Sequence, residues 1–315
     1  VIVEKCIYNR ADIQQQETVC PAQKCSGHAL MPMDNSRSNL LYLWPRRTLF
    51  VGRLRHPIEF SQAAASLVIG VEGPVQLVLP GSDVVWHEHS LLLAPGQSAR
   101  IDPQGQLVAA CYLDALGQDF RLLSHSMARH QDGVYAGFHG EHSLQRWLTA
   151  LYNAPMQAEE AFDALESGIN PAAHPYPETD PRVARVVERI QSEIGRNVSV
   201  EELANSVNLS VSRLVELFRA QVGVPVRRYR QWHRLFVTFT GVERGASLTD
   251  AAIAAGFADS AHFSHTFRMT LGMTPSDIVT MLSGSIFVGH GAPAGGLAGH
   301  NAGAGLPTPA CQTGH

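Results

Sequence analysis

Residues 247–275 read SLTDAAIAAGFADSAHFSHTFRMTLGMTP, and what this stretch forms decides the nature of the C-terminal half of the chain. Ser247-Leu248-Thr249-Asp250 opens a short helix, Ala251–Ala255, and Gly256-Phe257 makes a turn. Asp259 or Ser260 then caps a second helix whose buried face carries Phe263 and Phe267. Two short helices across so tight a turn form a helix-turn-helix, in which the second helix enters the major groove of DNA while its neighbour crosses the backbone.

One such match is weak, because short helix pairs are common in helical proteins. The pattern recurs upstream, however. Ser199-Val200-Glu201-Glu202 has the spacing of a capping box, in which the Ser hydroxyl and the Glu202 carboxylate each satisfy an orphan amide. A short helix to Val207 follows, Asn208 takes the turn where a left-handed backbone is tolerated, and Ser210 caps a helix carrying Leu214, Leu217 and Phe218. VNLSVSRLVELFRAQVG (207–223) aligns with GFADSAHFSHTFRMTLG (256–272): both contain Phe-Arg, three residues, then Gly. The Arg-rich helix predicted over Val226–Thr240 would hold the two units at fixed separation, so that two recognition helices read successive major-groove faces about 34 Å apart. Phe218, Trp232, Phe263 and Phe267 are expected in the core.

Working outward, the helical region opens at Asp180-Pro181, with Pro at the first helical position and Val183, Val186, Val187, Ile190 and Ile194 on one face. Residues 170–180, NPAAHPYPETD, contain three prolines and read as a linker. The 315 residues therefore parse into a domain 1–169, a linker 170–180, a helical domain 181–281 with units at about 199–222 and 247–271, and a tail 282–315. Residues 283–315 hold nine Gly, six Ala and three Pro, a composition expected to remain disordered. The total charge of −4 hides a division: residues 1–179 carry 12 basic and 18 acidic side chains, whereas 180–282 carry 12 Arg against 10 acidic ones. That mild basicity is a weak pointer to nucleic acid on its own.

The first domain reads as β in its middle. Arg47–Leu54, Ser66–Glu72, Val75–Leu79, Val84–Trp86, Leu91–Ala94 and Leu107–Leu113 are short apolar runs, and Gly-Pro or Pro-Gly pairs punctuate several of them, as in a sandwich or small barrel. Helices are predicted over Phe120–Ala128, His142–Tyr152 and Ala158–Leu165. Trp44, Trp86 and Tyr112 are candidate pocket walls, with packed core as the plainer reading. The fold class expected is thus α+β: a β-rich, cupin-like sandwich or barrel with following helices, then an all-α double helix-turn-helix domain.

Residues 181–278 resemble the AraC/XylS family of bacterial transcription regulators, most specifically through AIAAGFADSAHFSHTFR (252–268) and GMTP (272–275). The resemblance implies a DNA-binding domain following a domain that senses a small molecule, dimerises, or both. The family usually has Arg where His265 stands, and an aromatic then Arg at Ile278 and Val279; Arg is common at the position of Glu216. Target sequence therefore does not transfer from relatives. On helix geometry, Ser212, Arg213, Val215 and Glu216 of the first unit, and Ser260, His262, Ser264 and His265 of the second, are expected to face bases. Arg219, Arg227, Arg228, Arg230 and Arg268 are better placed for phosphates.

Gly81-Ser82-Asp83-Val84-Val85-Trp86-His87-Glu88-His89 fits the opening of a cupin metal motif, but Leu93-Ala94 stands where a further Glu belongs and a hairpin turn is expected at His87–His89. No metal, cofactor or catalytic residue is assigned. The five cysteines (Cys6, Cys20, Cys25, Cys111, Cys311) are odd in number and scattered, as befits a reducing cytosol. No apolar run reaches the ~20 residues of a membrane helix, and the chain opens on Val1 without a basic, apolar leader. The expectation is a cytoplasmic bacterial regulator that binds double-stranded promoter DNA as a homodimer, with RNA polymerase as a partner and a small-molecule effector in the first domain. The rivals are a cupin-type metalloenzyme with a helical appendage, and a constitutive DNA-binding regulator without an effector.

Overall fold

A computed structural model describes residues 38–61, 64–113, 118–176, 178–282 and 285–289. Cys6, Cys20, Cys25 and Cys311 lie outside these residues, as does the tail from 290 onward.

The β-region forms two sheets. The larger runs β10 (Met127–Gln131), β11 (Val134–Phe138), β7 (Ser90–Leu93), β4 (Ser66–Gly70), β9 (Leu107–Tyr112), β2 (Thr48–Arg53), β1 (Leu40–Leu43) and β12 (Ile286–Val288). The smaller runs β3 (Ile58–Ser61), β8 (Ser98–Asp102), β5 (Val75–Val78) and β6 (Val85–Glu88). Alternation is clean in the small sheet, where Val75 and Leu77 point inward while Gln76 and Val78 are partly exposed. In the large sheet β1, β4 and β7 are buried at every position. Both of its faces are covered: Val68, Leu91 and Leu93 meet Leu77, Trp86 and Ile101 of the small sheet. Leu67, Ile69 and Leu92 meet the opposite layer of helices. That is why these strands read as continuous apolar runs rather than alternating ones.

The helical layer is α1 (Gln118–Ser124), α2 (Glu141–Asn153) and α3 (Ala158–Ile169), which bury Leu123, Leu144, Leu148, Leu151, Phe162 and Leu165. The helix expected to run to Ala128 ends at Ser124, because Met127–Gln131 pairs with Val134–Phe138 around Asp132-Gly133. Asp-Gly with both φ positive (51° and 81°) is the favoured two-residue hairpin loop. His87 to His89 is not a hairpin either: β6 and β7 belong to different sheets, and the chain turns the corner between them at His89.

Beyond the linker come α4 (Pro181–Ser192), α5 (Val200–Ser206), α6 (Val211–Val222), α7 (Val226–Glu243), α8 (Leu248–Ala254), α9 (Ser260–Leu271) and α10 (Pro275–Leu282). The described residues of the linker lack helix and strand but are tied down: Tyr176 accepts a hydrogen bond from Arg47 Nη2 at 2.8 Å and donates to Glu166 at 2.7 Å. The chain then returns. Ile286–Val288 add to β1 in parallel, Leu41 opposite Ile286 and Leu43 opposite Val288. Phe287 stacks on Tyr42 at 4.6 Å between ring centres. The expectation of a disordered tail from residue 282 does not hold for this stretch, where three consecutive apolar residues reach an open sheet edge.

Candidate nucleic-acid interface

Each predicted cap is made by the expected side chain. Ser199 accepts from the Glu202 amide while Glu202 accepts from the Ser199 amide. Ser210 accepts from Arg213, Ser247 from Asp250 and Asp259 from His262. Such caps contribute about 1 kcal/mol each and set where a recognition helix starts. Asn208 sits at φ 55°, the left-handed turn expected of it. Both recognition helices, α6 and α9, end on left-handed glycines, Gly223 at φ 84° and Gly272 at φ 76°.

The two units differ in what encloses their cores. Leu203, Ala204, Leu214 and Phe218 of the first pack with Val186 and Ile190 of α4 and with Tyr229 of α7. Phe263 and Phe267 of the second belong to the cluster that fills the space between the two sheets. One copy therefore has a core shared mainly with neighbouring helices, while the core of the other is continuous with the β-domain.

On α6, Ser212, Arg213, Val215 and Glu216 are all exposed, and Arg213 Nη1 donates to Glu216 Oε2 at 2.8 Å. On α9, Ser260 and His265 are exposed, while His262 and Ser264 are half-buried, with the His262 ring edge-on to Phe257. The opening turns of both helices are thus accessible. Further along α9 the first domain intervenes. His265 and Thr270 line a cleft with Ser61, and Arg268 and Met269 line another with Glu59, Phe60 and the 78–82 loop.

The five arginines assigned to phosphate divide similarly. Arg219, Arg227 and Arg268 are exposed. Arg230 donates to Asn197 Oδ1 at 3.0 Å and to the Val198 carbonyl at 2.6 Å, bracing the α4–α5 loop. Arg228 is half-buried and donates to Ser61 Oγ on β3 and, at 3.5 Å, to the Gly96 carbonyl. Burial lowers the pKa of Arg228 and Arg230 from the usual guanidinium value.

Sequence reading missed these first-domain contacts. A Cβ on Gly223 would come within 2.7 Å of Pro95, and one on Gly272 would overlap the Glu59 carbonyl, so both recognition helices end against the β-domain. The repeated glycine was visible as a cap; nothing local announced that it is also a docking point.

The other candidate chemistry is dispersed. His87 is exposed on β6, and His89 faces Gln145 at 3.1 Å. Among the described residues no three His, Cys, Asp or Glu side chains gather as metal ligands. Cys111 is buried, and burial pushes its thiol up to about 12. Trp44 is core, donating to the Ala158 carbonyl at 2.8 Å, and Trp86 lies between the sheets. Tyr112 does line a cavity, between the large sheet and α7.

Residues 203–280 match the family model described as a helix-turn-helix domain. XylDLEGF operon transcriptional activator 1 of Pseudomonas putida is 27% identical over 270 residues, covering 72% of this chain and 84% of the relative. The HTH-type transcriptional activator RhaS of Klebsiella pneumoniae (strain 342) is 30% identical over 100 residues, covering 31% of this chain and 36% of the relative. Among solved structures, ToxT from Vibrio cholerae O395 superposes with a TM-score of 0.51 at 16% identity, covering 76% of this chain and 98% of that one. Wild-type ToxT bound to an unsaturated fatty acid superposes at 0.50, also at 16% identity, covering 81% and 99%. At that identity the likeness is one of fold.

Proposed function

We propose that the chain is a regulator of the AraC/XylS type, as its similarity to the helix-turn-helix model and to the XylDLEGF operon activators supports, that it binds promoter DNA through α6 and α9, and that it activates transcription in response to a small molecule held by its first domain. The observation that carries this reading is the pair of capped recognition helices, each with an open first turn, joined by the single helix α7. We place it in the cytoplasm, acting as a homodimer on paired half-sites and contacting RNA polymerase, without catalysis of its own.

Base reading falls to Ser212, Arg213, Val215 and Glu216 on α6 and to Ser260, His262, Ser264 and His265 on α9. Arg can pair bidentately with guanine, Glu accepts from cytosine, and Val meets a thymine methyl. Arg219, Arg227, Arg228, Arg230 and Arg268 are assigned to phosphates, which fix register. Of these, Arg228 and Arg230 must first exchange their present partners, and that exchange is where an effector would act: while Ser61 holds Arg228, the guanidinium is withheld from DNA. The effector would occupy the cavity between the large sheet and α7, whose walls come from both halves of the chain. ToxT, a protein of this fold, binds an unsaturated fatty acid, which supports a ligand-holding first domain.

Mapping sites bound by the chromosomal protein tests the main reading: discrete promoter-proximal peaks sharing a paired motif are expected, and uniform or absent occupancy would overturn it. Arg213→Ala should cost about 1–3 kcal/mol of DNA affinity and relax preference at one base position. Equal weakening on all sequences, measured by titrating base-substituted sites, would move Arg213 to the phosphate set. Ser61→Ala, which removes the acceptor that holds Arg228, should tighten DNA binding by about 1 kcal/mol, a few-fold in Kd. An unchanged Kd would mean that this contact does not restrain the interface.

A further inference from the structure

The cavity between the two halves has a consistent chemistry. Leu41, Leu43 and Phe50 of the large sheet face Leu235, Phe236 and Phe239 of α7 across a cavity of about 80 Å³ that is partly open to solvent. Among the described residues that line it none is Arg, Lys, His, Asp or Glu, and the polar side chains are those of Thr48, Tyr112 and Trp232. The cations of α7 are directed elsewhere. Arg227 is exposed, Arg228 donates to Ser61 and Gly96, Arg230 to Asn197 and Val198, and Arg234 lies against Gly256.

We infer that this cavity takes an uncharged, mainly apolar molecule and rejects carboxylates of the same size. The inference rests on the effector reading above and adds the ligand class. An anion entering here would shed its water without meeting a cation, whereas an apolar chain or ring trades water for the hydrocarbon walls. Selection is therefore by charge as much as by shape: a pocket that cannot pair a carboxylate discriminates against it more strongly than a change of one methylene would. The same geometry supplies the coupling. Trp232, Leu235, Phe236 and Phe239 of the wall belong to α7, the helix that joins both reading units, so a ligand that spreads or fills the cavity acts directly on the helix that positions them.

The test uses the full chain with octanol and octanoate at neutral pH, read by tryptophan fluorescence, since Trp232 lines the cavity, and by thermal shift. Octanol should bind saturably and about tenfold or more tighter than octanoate. Thr48→Lys places a cation on the wall and should weaken octanol while admitting octanoate, reversing the order. Equal affinity, or preference for octanoate in the unsubstituted protein, overturns the ligand class. Saturable binding of neither probe overturns the cavity as a ligand site. Octanol binding undisturbed in a folded Thr48→Lys protein puts the ligand elsewhere and also overturns the inference. If that variant does not fold, the comparison of the two probes on the unsubstituted chain decides. The effector reading itself is tested separately, by whether a mixture of cell metabolites shifts the DNA footprint; it survives if an anionic component does so.

Discussion

Asp119→Ala should destabilise the protein by about 3–5 kcal/mol, since it strands a buried cation. Arg47 is 1% exposed, and its Nε and Nη2 each donate to an Asp119 carboxylate oxygen at 2.7 Å. Asp119 is itself fully buried. Burial works against the charge on Arg47, but the adjoining carboxylate more than offsets it and holds the guanidinium pKa well above its usual value. Glu166 adds a charge contact at 2.6 Å, without hydrogen-bond alignment, and the guanidinium lies over Phe162 at 5.2 Å. Loss of Asp119 leaves these lesser partners to compensate a charge taken out of water. Urea denaturation measures the effect, and the double change Arg47→Met with Asp119→Leu should restore most of the loss, because the charge goes with its partner. A fall below about 1 kcal/mol for Asp119→Ala would mean that water or Glu166 takes over the pairing. Tyr176 hangs from the same guanidinium, so amide exchange in the linker should rise in the single variant and mark where the linker is held.

The second large effect is a loss of stability in mild acid. His233 on α7 is 5% exposed, stacks on Tyr229 and Phe236, and its Nδ1 has no partner. Burial lowers its pKa to about 4. The ring is neutral in the folded chain but takes up a proton near pH 6.5 once unfolded, so the unfolded state binds more protons between these values. Stability is therefore fully present above about pH 6.5 and declines as the pH falls towards 4, by about 3 kcal/mol at most. The carboxylates with lowered pKa, Glu72 and Asp180 among them, lose their contribution only below their unfolded values near 4. The interval from about pH 6.5 to 5 is therefore diagnostic. His233→Phe, which keeps the stack, should flatten the decline of the urea midpoint there; an unchanged slope would assign the titration to another group.

Local chemistry was legible where it acts locally. Ser199 with Glu202, Asn208, Ser210 and Asp259 each announced a helix boundary, because a cap or a left-handed residue is decided within four positions of chain. The exposed face of α6 followed from helix periodicity alone. Strands β3 and β8 escaped, since IEFS buries only Phe60 and SARID only Ala99 and Ile101, in a second sheet that no local pattern reveals. Strand β10, ARHQ after Met127, is almost entirely exposed and is a strand only because β11 pairs with it. The interface was half visible. Which arginines face outward could be read from the helix, but that Arg228 is held by Ser61 and Arg230 by Asn197 depends on chain more than thirty residues away.

The parallel pairing of β12 with β1 bears on how the molecule is made. During synthesis the first domain emerges long before residue 286, so its large sheet waits for β12 while α4 to α10 are produced. Completion of that sheet thus becomes a signal that the reading units have been made. Until then the free edge of β1 is open to any passing strand, and a ribosome stalled within α7–α10 would release a chain with that edge uncapped.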